Sequence, residues 1–292
     1  MSHISRKIYY DSEAQTSLWG LPRDLISARE ILWRLVWREI KARYRYAVMG
    51  FLWAVIEPIL FMLLLLFIFT FLIRERNMSS LNNLSTPMAT QILCGLIFWQ
   101  YFSTSLISAT YSLVNHQNLV KKLYFPREVI PISCVIYPIL NLSIAFIALI
   151  LIHLILGGKV NLNIFWGSVW LLILILTTTG LGLLFSIGYV HYRDIGNMVN
   201  FGLLLGFYAS PVFYPLDLVI NACRNGNLPP WSLKLYMMNP MVNILEGIRH
   251  CVLSGKSIEP HLLTFPLLFS VISLIVGTYV FRKLSSTVSD YM

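Results

Sequence analysis

The segment Ser254–Ser257, SGKS, has the residue types that end a phosphate-binding loop, in which backbone amides and a lysine hold a nucleoside triphosphate. That loop requires a glycine five residues before Gly255, and position 250 is a histidine. We therefore interpret the match as coincidental. The chain itself is expected neither to hydrolyse ATP nor to be an enzyme.

The histidines and cysteines do not form the sequence patterns that indicate a metal site or a redox centre. The six histidines are scattered, without the spacing of metal ligands. Cys94 and Cys134 fall in apolar runs, where packing explains them. Cys223 and Cys251 lie between the last two apolar runs, where either a disulfide or two separate thiols is compatible with the sequence. No cluster of carboxylates or histidines supports a membrane-embedded glycosyltransferase or acyltransferase.

The elements that carry these residues are those of a membrane protein. The 292 residues are 57% hydrophobic and 12% charged, against about 25% charged in soluble domains. We expect one all-α membrane domain over residues 1–292. Six apolar runs are long enough for a bilayer core of about 30 Å. They cover roughly 50–73, 88–112, 130–156, 164–188, 197–214 and 261–281.

Charge distribution predicts the topology. The net charge is +9, but the basic residues lie at the ends of apolar runs, which indicates topology signals rather than nucleic-acid binding. Nine basic residues precede residue 50, and only Arg74, Arg76 and Lys159 lie in the short segments of the opposite side. The positive-inside rule therefore puts both termini in the cytoplasm. The fifth run, 197–214, ends in SPVFYP and is expected to stop short of the far surface.

Residues 24–46 have helical periodicity without the length of apolar sequence that a span needs. An amphipathic helix at the membrane surface fits this pattern, with its aromatic side chains toward the acyl chains. A generic anchor without a mechanical role is the alternative. The apolar side consists of Leu25, Leu32, Trp33, Val36, Trp37, Ile40 and Tyr44. The basic side consists of Arg34, Arg38, Lys41 and Arg45.

Two short segments on the predicted cytoplasmic side are charged and aromatic: 119–131, LVKKLYFPREVIP, and 191–197, HYRDIGN. Anchoring to lipid headgroups is one interpretation of these residue types. Docking of a soluble partner is the other, because aromatic side chains can fill a socket while charges fix the register.

Four segments, in order along the chain, resemble one family. RYRYAVMGFLWAVIEPILFMLLLLFIFTF at 43–71, NLVKKLYFPREVIP at 118–131, HYRDIGNMVNFGLLLGFYASPVFYP at 191–215 and MNPMVNILEGIRHCVLSG at 238–255 are similar to signatures of the ABC-2 class of polysaccharide exporter permeases. The resemblance extends from about residue 24 to the end of the chain.

The resemblance implies a homodimer of six-span subunits with re-entrant outer helices between spans five and six. It also implies two copies of a separate ATPase subunit, which binds the ATP and magnesium. In that family the loop between spans two and three couples to the ATPase. The coupling residues implied here are Asn118, Lys121, Lys122, Tyr124, Phe125, Pro126, Arg127 and Glu128. From the second loop we add Tyr192, Arg193 and Asp194.

A carboxylate lies within the first predicted span. Glu57 is about 10 Å along it, at 1.5 Å per residue, where an ionised group must be paired or face water. Pairing with a basic residue of the amino-terminal helix is one interpretation. A polar lining of a transport path is the other. Pro58 is expected to kink the helix.

Aromatic residues cluster near the ends of the second and fifth spans. Sugar rings pack on aromatic faces through weak contacts, which suits a polymer that must slide. Interfacial anchoring and helix packing are the alternatives. The candidate channel residues are Phe98, Trp99, Tyr101, Phe102, Phe207, Tyr208, Phe213 and Tyr214, with Glu57.

The sequence is thus interpreted as the permease subunit of an ATP-driven exporter of a lipid-linked polysaccharide in a bacterial inner membrane. O-antigen is the favoured cargo, with teichoic acid and capsular polysaccharide as alternatives. A secondary transporter is a remote alternative, because it would need more intramembrane ionisable groups than Glu57 and His153.

Overall fold

The computed structural model describes residues 21–45, 49–69, 87–122, 125–226, 229–257 and 260–285. Short 3₁₀ turns, Gly50–Leu52 and Leu162–Trp166, precede two of its helices. The helices are α1 Leu21–Ser27, α2 Arg29–Tyr44, α3 Trp53–Phe67, α4 Met88–Asn115, α5 Gln117–Lys122, α6 Val129–Ile136, α7 Ile139–Ile155, α8 Gly167–His191, α9 Asp194–Tyr208, α10 Leu216–Arg224, α11 Pro230–Met237, α12 Pro240–Val252 and α13 Pro260–Ser285.

The all-helical prediction is confirmed for the part of the chain described. Five helical segments there are long and apolar enough to cross a membrane, and they coincide with five of the six predicted runs. Residues 70–73 of the first predicted run lie outside the described residues. The five segments are Gly50–Phe67, Met88–Asn115, Val129–Ile155, Leu162–His191 and Leu262–Ser285.

The predicted span 197–214 is not confirmed. The helix α9 there has 15 residues and ends at Tyr208, a length of about 22 Å. Pro211 explains the end, because proline lacks an amide hydrogen and disfavours helical geometry in the residue before it. The expected early stop is therefore what the structure shows. By contrast, α3 continues through Pro58 to Phe67.

The core is built around α4, which is buried along most of its length and packs against α3, α6, α7 and α8. At the carboxyl-terminal end of α4, the helices α1 and α2 lie across the bundle, and α2 packs on α6. We call this the loop end, because it also holds α5, residues 125–128, the α8–α9 connection and the end of α13. At the opposite end, α10–α12 lie near the start of α4.

Two glycines bring α8 and α13 into backbone contact. A Cβ atom added at Gly277 would lie 2.1 Å from the Gly180 carbonyl oxygen, and one at Gly180 would lie 2.4 Å from the Ser273 carbonyl carbon. Close approach of this kind is how transmembrane helices associate without a hydrophobic driving force. The two longest described helices after α4 therefore pack as one rigid pair.

Gly277→Ala is expected to destabilise the fold by about 1–3 kcal/mol, the usual cost of overpacking, because the helices must separate to admit the methyl group. Gly202→Ala is the matched control, since a Cβ atom at Gly202 meets nothing within 4 Å. Alanine is also the better helix former, so this change is expected to be neutral or slightly stabilising. Thermal unfolding in detergent would compare them, and equal loss in both variants would contradict the packing argument.

Candidate functional site

The predicted docking loop divides into an exposed and a buried part. Asn118 and Lys121 are exposed on α5, whereas Phe125 and Pro126 are buried. Phe125 is 8% exposed and belongs to a buried apolar cluster that also includes Val129, Ile130 and Phe281. Phe125 therefore fills a pocket of its own chain. Tyr124 and the Lys122 side chain lie outside what the structure describes.

Glu128 also points inward and is 8% exposed, whereas the sequence-based expectation was that its charge faces a soluble partner. Its Oε1 accepts a hydrogen bond from Arg282 Nε at 2.9 Å, and Arg282 Nη2 donates to Asp24 Oδ2 at 2.7 Å. Arg127 donates to the backbone carbonyl of Ser285. The loop is thus bonded to the end of α13 and to α1.

The position of Glu128 explains its orientation. It is the N-cap residue of α6, where the helix dipole favours a negative charge. The first residues of that helix, Val129, Ile130 and Pro131, are all buried, so the cap enters the protein interior. There it requires a cationic partner, since an unpaired buried carboxylate is costly.

The second predicted loop remains on the surface. Tyr192, Arg193 and Asp194 are exposed, and the Arg193 guanidinium lies 5.1 Å from the centre of the Tyr189 ring. Gly196 fixes the α8–α9 connection against α4, because a Cβ atom there would lie 2.7 Å from the Tyr111 hydroxyl. Both loops are therefore supported by the same end of α4.

The predicted amphipathic helix is present as α1 and α2, with its apolar side divided in two. Val36 and Ile40 are buried against the bundle, and Leu35, which the periodicity argument omitted, is buried too. Trp33 and Trp37 are 63% and 50% exposed and stack with ring centres 6.4 Å apart. The predicted basic side chains Arg34, Arg38 and Lys41 are also exposed.

An ion pair holds α2 to the end of α4. Glu39 Oε1 lies 3.0 Å from His116 Nε2. The hydrogen bond from His116 is the main reason why the pKa of the Glu39 carboxyl lies below its ordinary value. Local sequence patterns contain no sign of this pair, because its members are 77 residues apart.

Six of the eight candidate channel aromatics meet in one cluster. Phe207 lies at its centre, with ring centres 6.1 Å from Trp99, 5.3 Å from Tyr208 and 5.4 Å from Phe213. Phe61 of α3 joins it at 6.1 Å from Phe207. Of the remaining members, Phe102 contacts Trp99 and Tyr214 contacts Phe213.

The other two candidates lie elsewhere. Phe98 is 4% exposed and packs edge-on against Phe146 of α7. Tyr101 is 3% exposed and donates its hydroxyl hydrogen to the Val135 carbonyl at 3.2 Å. Both are buried packing residues within this chain, as are Trp99 and Phe102, which are 7% and 6% exposed. The channel role of Phe98 and Tyr101 stays a prediction.

Glu57 is exposed and lines a polar cavity of about 270 Å³ between α2, α3, α4 and α7. Arg43 lines the same cavity, but its Nη1 donates to the Tyr137 hydroxyl at 3.4 Å, and among the described residues no ion pair involves Glu57. Other polar members of the wall are Gln100, Thr104 and Asn141. The cavity explains how a carboxylate is tolerated there.

The opposite end depends on Arg249, which is 3% exposed in α12. Its guanidinium donates to three backbone carbonyls: Gln91 at 3.1 Å, Tyr214 at 3.2 Å and Val212 at 2.8 Å. Glu246 lies 3.4 Å away on the same helix. Arg249 thus joins α12 to the start of α4 and to the α9–α10 connection.

Sequence reasoning missed this role. A signal existed, since Arg249 lies within the motif MNPMVNILEGIRHCVLSG, in a stretch that is mostly apolar. A buried arginine requires several acceptors. Gly95 marks the same junction, because a Cβ atom there would lie 2.0 Å from the Val212 carbonyl oxygen.

Neither metal nor disulfide chemistry appears in the described part of the chain. No group of three or more histidine, cysteine, aspartate or glutamate residues there is placed to hold a metal ion. No disulfide joins Cys223 and Cys251, so the alternative of two separate thiols holds.

Known proteins resemble this chain over most of its length. The family model for the ABC-2 type transporter matches residues 30–253. The O-antigen export system permease protein RfbA of Myxococcus xanthus is 31% identical over 227 residues, 78% of this chain and 82% of that protein. The RfbA protein of Klebsiella pneumoniae is 27% identical over 85% of this chain and 89% of its own. The polysialic acid transport protein KpsM of Escherichia coli is 26% identical over 84% of this chain and 90% of its own.

Arg249→Gln is expected to destabilise the protein by about 3–5 kcal/mol, because the change leaves Glu246 and several carbonyls buried with too few donors. Arg224→Gln, which neutralises an exposed arginine at the same end, is expected to cost less than about 0.5 kcal/mol. The measurement is thermal unfolding in detergent. Similar midpoints for the two variants would show that Arg249 does not hold this junction together.

Proposed function

The chain belongs to the ABC-2 type transporter family, and from that membership we propose that it is the permease subunit of an ATP-driven exporter of a lipid-linked polysaccharide, with O-antigen as the favoured cargo. The observation that carries the proposal is the similarity to named O-antigen export permeases over 78–85% of the chain. Capsular polysaccharide is the second candidate cargo, favoured by the similarity to KpsM and to the capsule polysaccharide export protein CtrC of Neisseria meningitidis.

The proposed assembly is a homodimer in the inner membrane, with six spans in each copy and both termini in the cytoplasm. The fifth span is the short helix α9, and α10–α12 are the re-entrant segment that closes the outer exit. Non-helical backbone such as residues 209–215 is tolerated at membrane depth only where protein covers it. The buried Ser210, Pro211 and Val212 meet that condition.

The exposed face of α9 supports the idea of a second copy and a conduit beside it. Met198, Phe201, Leu204, Leu205 and Tyr208 are 54–69% exposed. Such a stripe requires a covering surface, either lipid, a second copy or the polymer. Tyr208 also belongs to the aromatic cluster, so it is the member best placed to contact sugar rings.

The ATPase subunit, which binds the nucleotide and magnesium, is proposed to dock on the exposed residues of the loop end. These are Asn118 and Lys121 of α5, together with Tyr192, Arg193 and Asp194. Phe125 and Pro126 support this surface from within. Docking of this kind leaves hydrolysis entirely to the partner.

Lys121→Glu is expected to weaken ATPase binding by about fivefold or more, because a reversed charge opposes the complementary surface of the partner. Lys256→Glu, the same reversal on an exposed lysine at the opposite end, is expected to have no effect. The measurement is co-purification of ATPase activity with the tagged chain. If no ATPase activity accompanies the wild type, the exporter proposal fails; if Lys121→Glu retains full binding, only the docking surface is wrong.

Tyr208→Ala is expected to lower export of the lipid-linked glycan into inverted vesicles about two- to tenfold, equivalent to losing a ring contact of about 0.5–1.5 kcal/mol. Leu205→Ala removes a similarly exposed side chain from the same helix without removing an aromatic face. It is expected to export normally. A comparable loss in both variants would assign the stripe to packing rather than to sugar contact.

A further inference from the structure

Three segments far apart in sequence meet at the end of α13. Arg282 forms ion pairs with Glu128 at 2.9 Å and with Asp24 at 2.7 Å. The whole arginine residue is 7% exposed. We call these three residues the hub. A guanidinium suits this position because its planar fork bonds two carboxylates at once in a fixed geometry.

Arg282 and Glu128 lie in an apolar environment, with side chains 3% and 10% exposed, whereas the Asp24 side chain is 29% exposed. The cluster beside it includes Phe281, Leu113 and Val129, each 0% exposed, and Leu35 of α2. In such surroundings charge pairs are weakly screened, and separating them leaves a buried charge without its partner. The Arg282–Glu128 bond therefore resists separation more than the pair Arg38–Glu39, whose side chains are 45% and 25% exposed.

A second bond joins the loop to α13, from the residue just before Glu128. Arg127 donates to the Ser285 carbonyl, one of the last carbonyls of α13, which have no acceptor role inside the helix. Two successive loop residues thus bind the same helix end, one through Arg282 and one through the backbone. A single bond allows rotation, whereas two fix the loop in position and orientation.

The three elements are unequal in size. The loop segment 125–128 and the seven-residue α1 are short, whereas α13 has 26 residues. The helix α13 also packs closely against α8 at Gly180 and Gly277. Moving the loop relative to α13 requires breaking buried bonds. Moving α13 with the loop requires breaking none of them.

We propose that Asp24, Glu128 and Arg282 are positioning residues that join the docking loop, α1 and α13 into one moving unit, so that the last span follows the loop during transport. This inference rests on the proposed function for the force that acts on the loop. Glu128 accordingly acts beneath the docking surface and does not contact the ATPase.

The test measures the distance between spin labels at Gln117 and Lys283, which are both exposed, in a chain without native cysteines and in complex with its ATPase. In otherwise wild-type protein, one narrow distance distribution is expected, unchanged by ATP. Glu128→Gln is expected to broaden the distribution and to lower glycan exported per ATP by about fivefold or more, the low end of coupling between distant sites. Glu30→Gln, which neutralises an exposed carboxylate on α2, is the matched control.

Arg282→Lys provides a second variant if Glu128→Gln folds poorly, because lysine keeps the charge but not the two-pronged geometry. It is expected to broaden the same distribution. The inference is overturned if ATP changes the wild-type distance, or if both variants export the normal amount per ATP. Absence of an ATPase from the purified wild type would instead defeat the proposed function, and the width measured without ATP would still report whether the hub fixes the loop.

Discussion

Two buried arginines, one at each end of the bundle, hold together segments that apolar packing alone would leave free to slide. Arg282 binds carboxylates from α1 and from the loop before α6, and Arg249 binds carbonyls from α4 and from the α9–α10 connection. A guanidinium removed from water requires several acceptors, so each arginine fixes every segment that supplies one. Apolar contacts between helices in lipid have no comparable directionality.

A continuous path of close packing lies between the two arginines. Arg282 lies in the last turn of α13, which meets α8 at Gly277 and Gly180. Near its start α8 carries the buried Trp170, whose ring fills the space beside Gly247 of α12, where a Cβ atom would lie 2.2 Å from it. Arg249 follows two residues later in α12. Contacts of this density leave each of these helices little room to shift without its neighbour.

The sequence predicted what depends on local composition. Hydropathy located five helices, and Pro211 signalled the early end of α9. The sequence did not predict the orientation of Glu128 or Phe125. A charged, proline-containing loop has the same composition whether its side chains face a partner or the core of its own chain. The pairs Arg282–Asp24 and His116–Glu39 join residues 258 and 77 positions apart, a separation about which local periodicity contains no information. Position near the end of a span identified the aromatic cluster as a whole. It did not show that Phe98 and Tyr101 lie outside the cluster, because these two side chains contact α7 and α6, which are distant in sequence.

Under the proposed docking of an ATPase, the division of this loop into exposed and buried parts has a physical reason. A surface that transmits force must be exposed where it meets the partner and rigid where it meets its own chain. Exposed lysine and asparagine satisfy the first requirement on α5, because water solvates them until the partner arrives. Buried Phe125 and Glu128 satisfy the second, because a packed ring and a paired carboxylate have few alternative rotamers. If the aromatic and acidic residues had faced outward instead, the loop would have gained contact area but would have been joined to the bundle only through its flexible backbone, and motion of the partner would have bent the loop rather than moved the span.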